Sequence, residues 1–284
     1  MSPLSLSPWQ RLNTRLRGLP DCQEGGVQSL ALVMTLPMLI GSILLVVQFT
    51  QVLLGVMTVQ YAAFSAARSA AVWVPTRIDS EASPENVVDR LIVRGQAFDL
   101  TPDLRSGSRK LREIFAAAAQ SCVAISPARA VDGPRSSSAE ISDAVDAFLQ
   151  FQRLVSDPRI ARWRTAMGNR WSYSFANTQV RLAFLTEPRQ TPTYNPINHP
   201  MVPYRQDEAG WDESVTVIVQ HEVSLVPGPG RLLFQRATWG SVPAGLATNW
   251  PGSGRRDRVP VIGSATITLA GLQALRPFRY LEGE

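Results

Sequence analysis

The sequence predicts an α+β protein in which a single N-terminal transmembrane helix extends outside the membrane and carries an extracytoplasmic domain of helices packed on a small, mainly antiparallel sheet. Three observations lead there. No Asp, Glu, Lys or Arg lies between Glu24 and Arg68, and a bilayer core needs only about 20 apolar helical residues. Beyond Pro75 come several stretches with apolar residues at helical spacing, and from Asn177 onward the period changes to two. Helices gathered ahead of strands point to an α+β domain with the helices on one face of the sheet.

Residues 1–26 read as a cytoplasmic tail. Trp9, Leu12, Leu16 and Leu19 recur at helical spacing among Arg11, Arg15 and Arg17, which suits either a segment lying on the membrane face or a disordered basic tail that only sets topology. The transmembrane helix is assigned to residues 27–59. Its densest part, Leu30 to Val47, is interrupted only by Thr35, Pro37, Gly41 and Ser42. All are tolerable in a helix that keeps its backbone bonds internal, and Pro37 is expected to kink it. The run is too long for the roughly 7 to 15 apolar residues of a secretory signal. Arg11, Arg15 and Arg17 outweigh Arg68 and Arg77 beyond the helix, so the positive-inside rule places the N-terminus in the cytoplasm and the C-terminal domain outside.

Gln60 to Trp73 continues in strong helix formers, so the helix is expected to run on through residues 60–75 and to stop at Pro75. Ala62, Ala63, Ala66, Ala67, Ala70 and Ala71 crowd this extension, with Ser65 and Ser69 between them. Ala63, Ala67 and Ala70 then offer a face that lets another helix come close. An alanine-rich spacer, selected for helix propensity alone, is the competing reading.

Residues 76–284 form the extracytoplasmic domain. Ser83-Pro84-Glu85 reads as a helix start, with Val87, Val88, Leu91 and Ile92 as the buried face. A second helix, Ser108 to Cys122, carries the stripe Leu111, Ile114, Phe115, Ala118 and Cys122. A third opens at the capping-box pattern Ser137 to Glu140 and runs toward Val155. A fourth starts at Asp157-Pro158 and is expected to end near Gly168. Strands follow: Val180, Leu182 and Phe184 share one face, Val215 to Leu225 alternates as a half-buried strand, and Ile262 to Ala270 is rich in β-branched residues. Between them lie a Pro-rich loop, Glu187 to Trp211, and a Gly/Pro-rich excursion from Pro227 to Pro260. Both are longer than hairpin turns, which marks them as functional surfaces or segments ordered by a partner.

The net charge of +5 comes from scattered Arg with Lys110 the only lysine, so no nucleic-acid stripe is indicated. Cys22 precedes the apolar helix and Cys122 follows it, which puts them in different compartments and leaves each a free thiol or a link between chains. Cys122 ends an apolar stripe and reads as a small buried hydrophobe. His199 and His221 are the only histidines, and no HExxH or paired-cysteine spacing exists, so no metal or other cofactor is expected. His221 and Glu222 point to opposite faces of a strand, and His221 reads as a residue bonded to a neighbour rather than a catalytic group. The stretch Val226 to Arg231, VPGPGR, lacks the lysine and hydroxyl of a phosphate loop and reads as a turn. An enzyme is not expected. Trp239, Trp250, Arg255, Arg256 and Arg258 either line a partner surface, as Trp and Arg dominate contact hot spots, or pin the long loop onto the domain.

The stretch EGGVQSLALVMTLPMLIGSILLVVQFTQVLLGVMTVQYAAFSAARSAAVWV, with its Gly, short polar step, Leu-Pro-containing apolar helix and Ala/Arg-rich continuation, resembles the N-terminal region of TadE-like proteins of the tight-adherence (Tad/Flp) pilus machinery. VTVIVQHEVSLVPGPGRLLF and VIGSATITLAG are loosely similar to the closing strands of that family. The resemblance implies a non-enzymatic component of a bacterial inner-membrane pilus assembly or secretion apparatus. Its partners would be other membrane proteins of the machine or further copies of itself. It also implies processing between Gly26 and Val27. Type IV prepilins carry a Glu five residues after the processing Gly, whereas the position here is Ala31 counted from Gly26 and Leu30 counted from Gly25. Processing is therefore expected to be absent or inefficient, and the role that of a fixed membrane component rather than a filament core. The alternative class is a membrane-anchored extracytoplasmic ligand-binding or sensing module.

Overall fold

The computed structural model describes residues 23–76, 78, 87, 88, 92, 93, 95–100, 108–129, 160–184, 209, 213–234, 239–241, 246 and 258–269. The architecture is α+β: one long apolar helix and a small mixed sheet of five strands.

The long helix, α1, spans Gln23–Trp73 and runs continuously through Pro37. It ends where expected, because Pro75 has no N–H to donate and biases Val74 away from helical geometry. Its terminal carbonyls find donors. The Thr76 N–H reaches Trp73 O at 3.2 Å, and the fully buried Lys110 ammonium donates to Val74 O at 3.1 Å and to Val87 O at 3.0 Å. A cation at this end of a helix also complements the helix dipole.

The two halves of α1 have different surroundings. From Leu30 to Val47 no residue is buried. From Gln48 onward burial recurs at the helical period, through Val52, Gly55, Val59, Ala62, Ala63, Ala66, Ala67 and Ala70. Packing against the domain thus begins at Gln48, inside the segment 27–59 that composition assigns to the membrane. Val, Gly and Ala suit a lipid face and a protein face equally, so composition does not mark the change.

The strands are β1 (Ala97–Asp99), β2 (Thr178–Phe184), β3 (Ser214–Ser224), β4 (Trp239–Gly240) and β5 (Arg258–Thr268), in the order β1-β2-β3-β5-β4. The β1–β2, β2–β3 and β3–β5 pairs are antiparallel, and β4 adds a short parallel pair at Trp239↔Val261. Period two on β3 sends Val215, Val217, Val219 and Val223 into the main core, where they meet Val180, Leu182 and Phe184 of β2, Val259 and Val261 of β5, and the buried face of α1. The expected half-buried character of β3 does not hold. Thr216, Ile218 and Gln220 on the second face are buried as well, Ile218 in a small cluster with Ala183, Leu246 and Ile262. Alternation reports which residues share a face, not what covers the other one.

Helix and sheet approach to backbone contact. A Cβ on Gly263 would lie 2.7 Å from the Val59 carbonyl oxygen, and one on Gly55 would lie 2.9 Å from a Val223 methyl. Glycine on each side makes this spacing possible.

Helix α2, Arg109–Cys122, is capped by Ser108, whose hydroxyl accepts from the Lys110 N–H at 3.3 Å. It buries Leu111, Ile114, Phe115, Ala118 and Cys122 as its spacing predicts, each large apolar side chain contributing roughly 1.5–3 kcal/mol. Helix α3, Ile160–Asn177, does not end at Gly168. A mid-helix Gly costs only about 1 kcal/mol, and the next turns are held by core contacts: Phe175 packs on Phe115 at 5.8 Å, and the Ser174 hydroxyl donates to Ala119 O. The helix expected after Ser83 is contradicted. Val87 sits in an isolated bridge, and Val88, Ile92 and Val93 are non-helical, in keeping with the weak helix propensity of β-branched residues. Val87, Val88 and Ile92 are nevertheless buried, as their spacing implied. The 1–22 segment, the helix expected from Ser137, His199 and nearly all of the Pro-rich loop lie outside the described residues.

Candidate functional site

The surface that distinguishes this molecule is the outward face of α1. Opposite the buried stripe, Leu53, Leu54, Met57, Tyr61, Phe64 and Val72 are exposed, Met57 by 70% and Tyr61 by 64%. They repeat at three- and four-residue spacing, so they form one stripe along the helix. The guanidinium of Arg68, first charge after Glu24, lies 5.9 Å from the Phe64 ring centroid and continues the stripe as a cation–π contact.

The alanines singled out as a packing face are used, but by the chain itself. Ala63, Ala67 and Ala70 are 0–1% exposed within the main core. Helix α2 lies against this part of α1 and brings Ala118 and Ala119, also buried, to the same core. Small side chains on both helices permit the close approach. An external helix therefore cannot occupy that face while the domain is folded on it. Gly26 and Val27, the residues of the implied processing step, stand near the start of α1.

Two of the five loop residues proposed as a partner surface are described, and both make contacts within the domain. Trp239 packs on Phe234 and Phe49, with ring centroids at 5.6 and 6.4 Å, so it pins the loop. Arg258 is 3% exposed. It donates to Glu222 Oε2 at 3.0 Å and Asn177 Oδ1 at 2.5 Å, and its guanidinium lies 5.1 Å from the Tyr173 ring centroid. A buried arginine needs such partners. Sequence cannot separate it from the neighbouring Arg255 and Arg256, because burial depends on the strand it opens. Trp250, Arg255 and Arg256 lie outside the described residues.

His221 and Cys122 are both enclosed. His221 is fully buried, its Nδ1 2.8 Å from Thr178 Oγ1 and its ring edge-on to Tyr173. Burial, reinforced by the nearby Arg258 charge, pushes its pKa down to about 3. Cys122 is fully buried and free, and burial pushes its thiol up to about 12, only partly opposed by a bond to Thr178. A shallow depression on α3 is lined by Arg162, Trp163, Ala166, Met167 and Arg170, all from one helix.

Sequence reading missed the glutamines of α1. Gln48 Nε2 donates to Val226 O at 2.6 Å while its Oε1 accepts from the Gly230 N–H at 2.6 Å. Gln51 Oε1 accepts from the Val226 N–H at 3.2 Å. Gln60 bonds both the carbonyl and the N–H of Ser264. Uncharged residues raise no alarm in an apolar run, yet these amides tie the helix to the domain. Their helical spacing with Val52, Val59 and Ala63 was the available signal.

No family model matches this chain, and neither a curated protein nor a solved structure matches it. The fold itself defines the class: an α+β domain folded onto the second half of a helix whose first half projects from it, the helix being long and apolar enough to cross a membrane.

Proposed function

We propose that this chain is a non-enzymatic, single-pass component of a Tad/Flp-type pilus assembly or secretion apparatus in a bacterial inner membrane. In this reading the N-terminus is cytoplasmic and the domain extracytoplasmic, and the chain works through helix–helix packing and docking of the domain. The projecting half of α1 suits the anchor. Gly25 to Val47 carries no charge, and at about 1.5 Å per residue it reaches roughly 33 Å, against about 30 Å of hydrocarbon. Two of its hydroxyls are satisfied within the helix: Thr35 donates to Ala31 O and Ser42 to Met38 O, each at 2.9 Å. Neither of these hydroxyls needs water.

The observation that carries the assembly role is the apolar stripe beyond Val47. A helix packed on its own domain ordinarily turns a polar face outward, whereas α1 exposes Leu54, Met57, Tyr61, Phe64 and Val72. Contiguous exposed apolar surface marks an interaction site, and a helical stripe of this kind fits another helix. The packing face is therefore the outer one, not the alanine face.

The test is purification of the full chain from its native host in mild detergent, followed by mass spectrometry of what accompanies it. Tyr61→Ser/Phe64→Ser should lose the accompanying membrane proteins and keep the unfolding transition. Retention of the same partners by the variant would overturn the assembly role.

A further inference from the structure

We infer that the Val226–Phe234 tip of the domain is a second membrane contact, which inserts Leu232 and Leu233 into the outer boundary of the bilayer that α1 spans. The inference rests on the membrane reading above and adds a site to it.

Successive contacts with α1 show which end of the sheet faces the membrane. Gly263, paired with Val219, lies under Val59; Val223 lies against Gly55; Val226 is bonded to Gln51 and Gln48; and Gly230 is bonded to Gln48. The chain leaving β3 thus descends along α1 toward its projecting half. It reaches its lowest described contact at Gln48, the first buried residue after Leu30 to Val47, where none is buried. At about 1.5 Å per residue, Val27 to Gln48 measures roughly 32 Å, so Gln48 lies level with the outer edge of a hydrocarbon core of about 30 Å.

At that level the chain forms the short helix α4, Gly230–Phe234. Its residues divide sharply. Phe234 is buried against Phe49 and Trp239, whereas Leu232 is 80% and Leu233 64% exposed, with Val226 beside them at 40%. Two adjacent leucines so exposed, on a tip anchored by hydrogen bonds to Gln48 and Gln51, have no partner in the described part of the chain. Just below Gln48, α1 itself exposes apolar side chains, Val46 by 63% and Ile43 by 55%. The cluster of Phe49, Phe234 and Trp239 sits just behind, and its Trp is a residue type favoured at a membrane interface. A lipid surface fits this short two-residue wedge.

The experiment uses the full chain with Cys22→Ser and Cys122→Ala, reconstituted in nanodiscs of phosphatidylethanolamine and phosphatidylglycerol. Spin labels are placed singly at Leu232→Cys, Leu233→Cys, Met34→Cys and Tyr61→Cys. Relative accessibility to oxygen and to a water-soluble nickel complex reports depth. The expected result is a lipid-exposed signature at Met34 and at Leu232 or Leu233, and an aqueous or protein-covered one at Tyr61. Lipid exposure at Met34 with both leucine labels in water, or shielded from both reagents by protein, would overturn the tip contact alone. Water exposure at Met34 would overturn the membrane reading itself.

Discussion

The Gly230 N–H donates to Gln48 Oε1 at 2.6 Å across 182 residues of sequence. Gln48 is fully buried, and its Nε2 completes the contact by donating to Val226 O. One side-chain amide therefore joins the point where α1 enters the domain to the tip of the β3–α4 connection. Gln48→Ala should leave both backbone groups without a partner and cost about 1–3 kcal/mol. Denaturant unfolding of the detergent-solubilised chain measures it. Thr35→Ala, which removes a hydroxyl bonded only within its own helix, should stay within about 0.5 kcal/mol. Equal effects of the two would show that water replaces the amide.

Ala67 is 1% exposed in the main core, so Ala67→Leu is an overpacking change expected to destabilise the domain by about 1–3 kcal/mol. A partner-facing alanine would instead give an unchanged melt and a lost complex. Thermal unfolding of Ala67→Leu beside Phe64→Ala separates the faces, since Phe64 is exposed and its truncation should hardly move the transition.

His221 gives the fold a pH dependence of known sign. Its folded-state pKa lies near 3, below the ordinary 6.5, because burial excludes the charged ring. Between these values the unfolded chain binds the extra proton, so its contribution is fully present above pH 6.5 and is lost as pH falls toward 3. The slope is about 1.4 kcal/mol per pH unit within that window. Unfolding free energies across pH 4 to 7 should show this component in the parent chain and not in His221→Gln, with other groups contributing equally to both.

Cys122 should resist thiol reagents in the folded protein, being fully buried with its thiol pushed up to about 12. In a Cys22→Ser background, maleimide labelling should appear only with unfolding. Rapid labelling under native conditions would show that α2 opens locally.

Orientation is checked by an impermeant thiol reagent on intact cells. Val72→Cys, at a position 62% exposed near the end of α1, should be labelled while Cys22 is protected. The reverse pattern would place the domain in the cytoplasm.

Local pattern was enough for much of this protein. The apolar charge-free run, the stop at Pro75, the Ser108 cap with the α2 stripe, and the alternation of β2 and β3 each depend on neighbours a few residues apart, and a repeat of two or about 3.6 records them directly. Burial of Val87, Val88 and Ile92 was legible too, although their helix was not, since apolar content shows that a segment is buried more reliably than the conformation in which it is buried.

Tertiary structure alone decided what covers each apolar face. The same Ala, Val and Gly composition fits lipid, a foreign helix or the chain's own sheet, because dispersion and exclusion from water are non-directional. Only folding showed that the alanine face is taken by α2 and the sheet, that Arg258 is sealed against Glu222 and Tyr173, and that Gln48 marks where the domain begins. Those outcomes depend on residues far apart in sequence, such as Gln48 and Gly230 or Val59 and Gly263, and no local period encodes such a pairing.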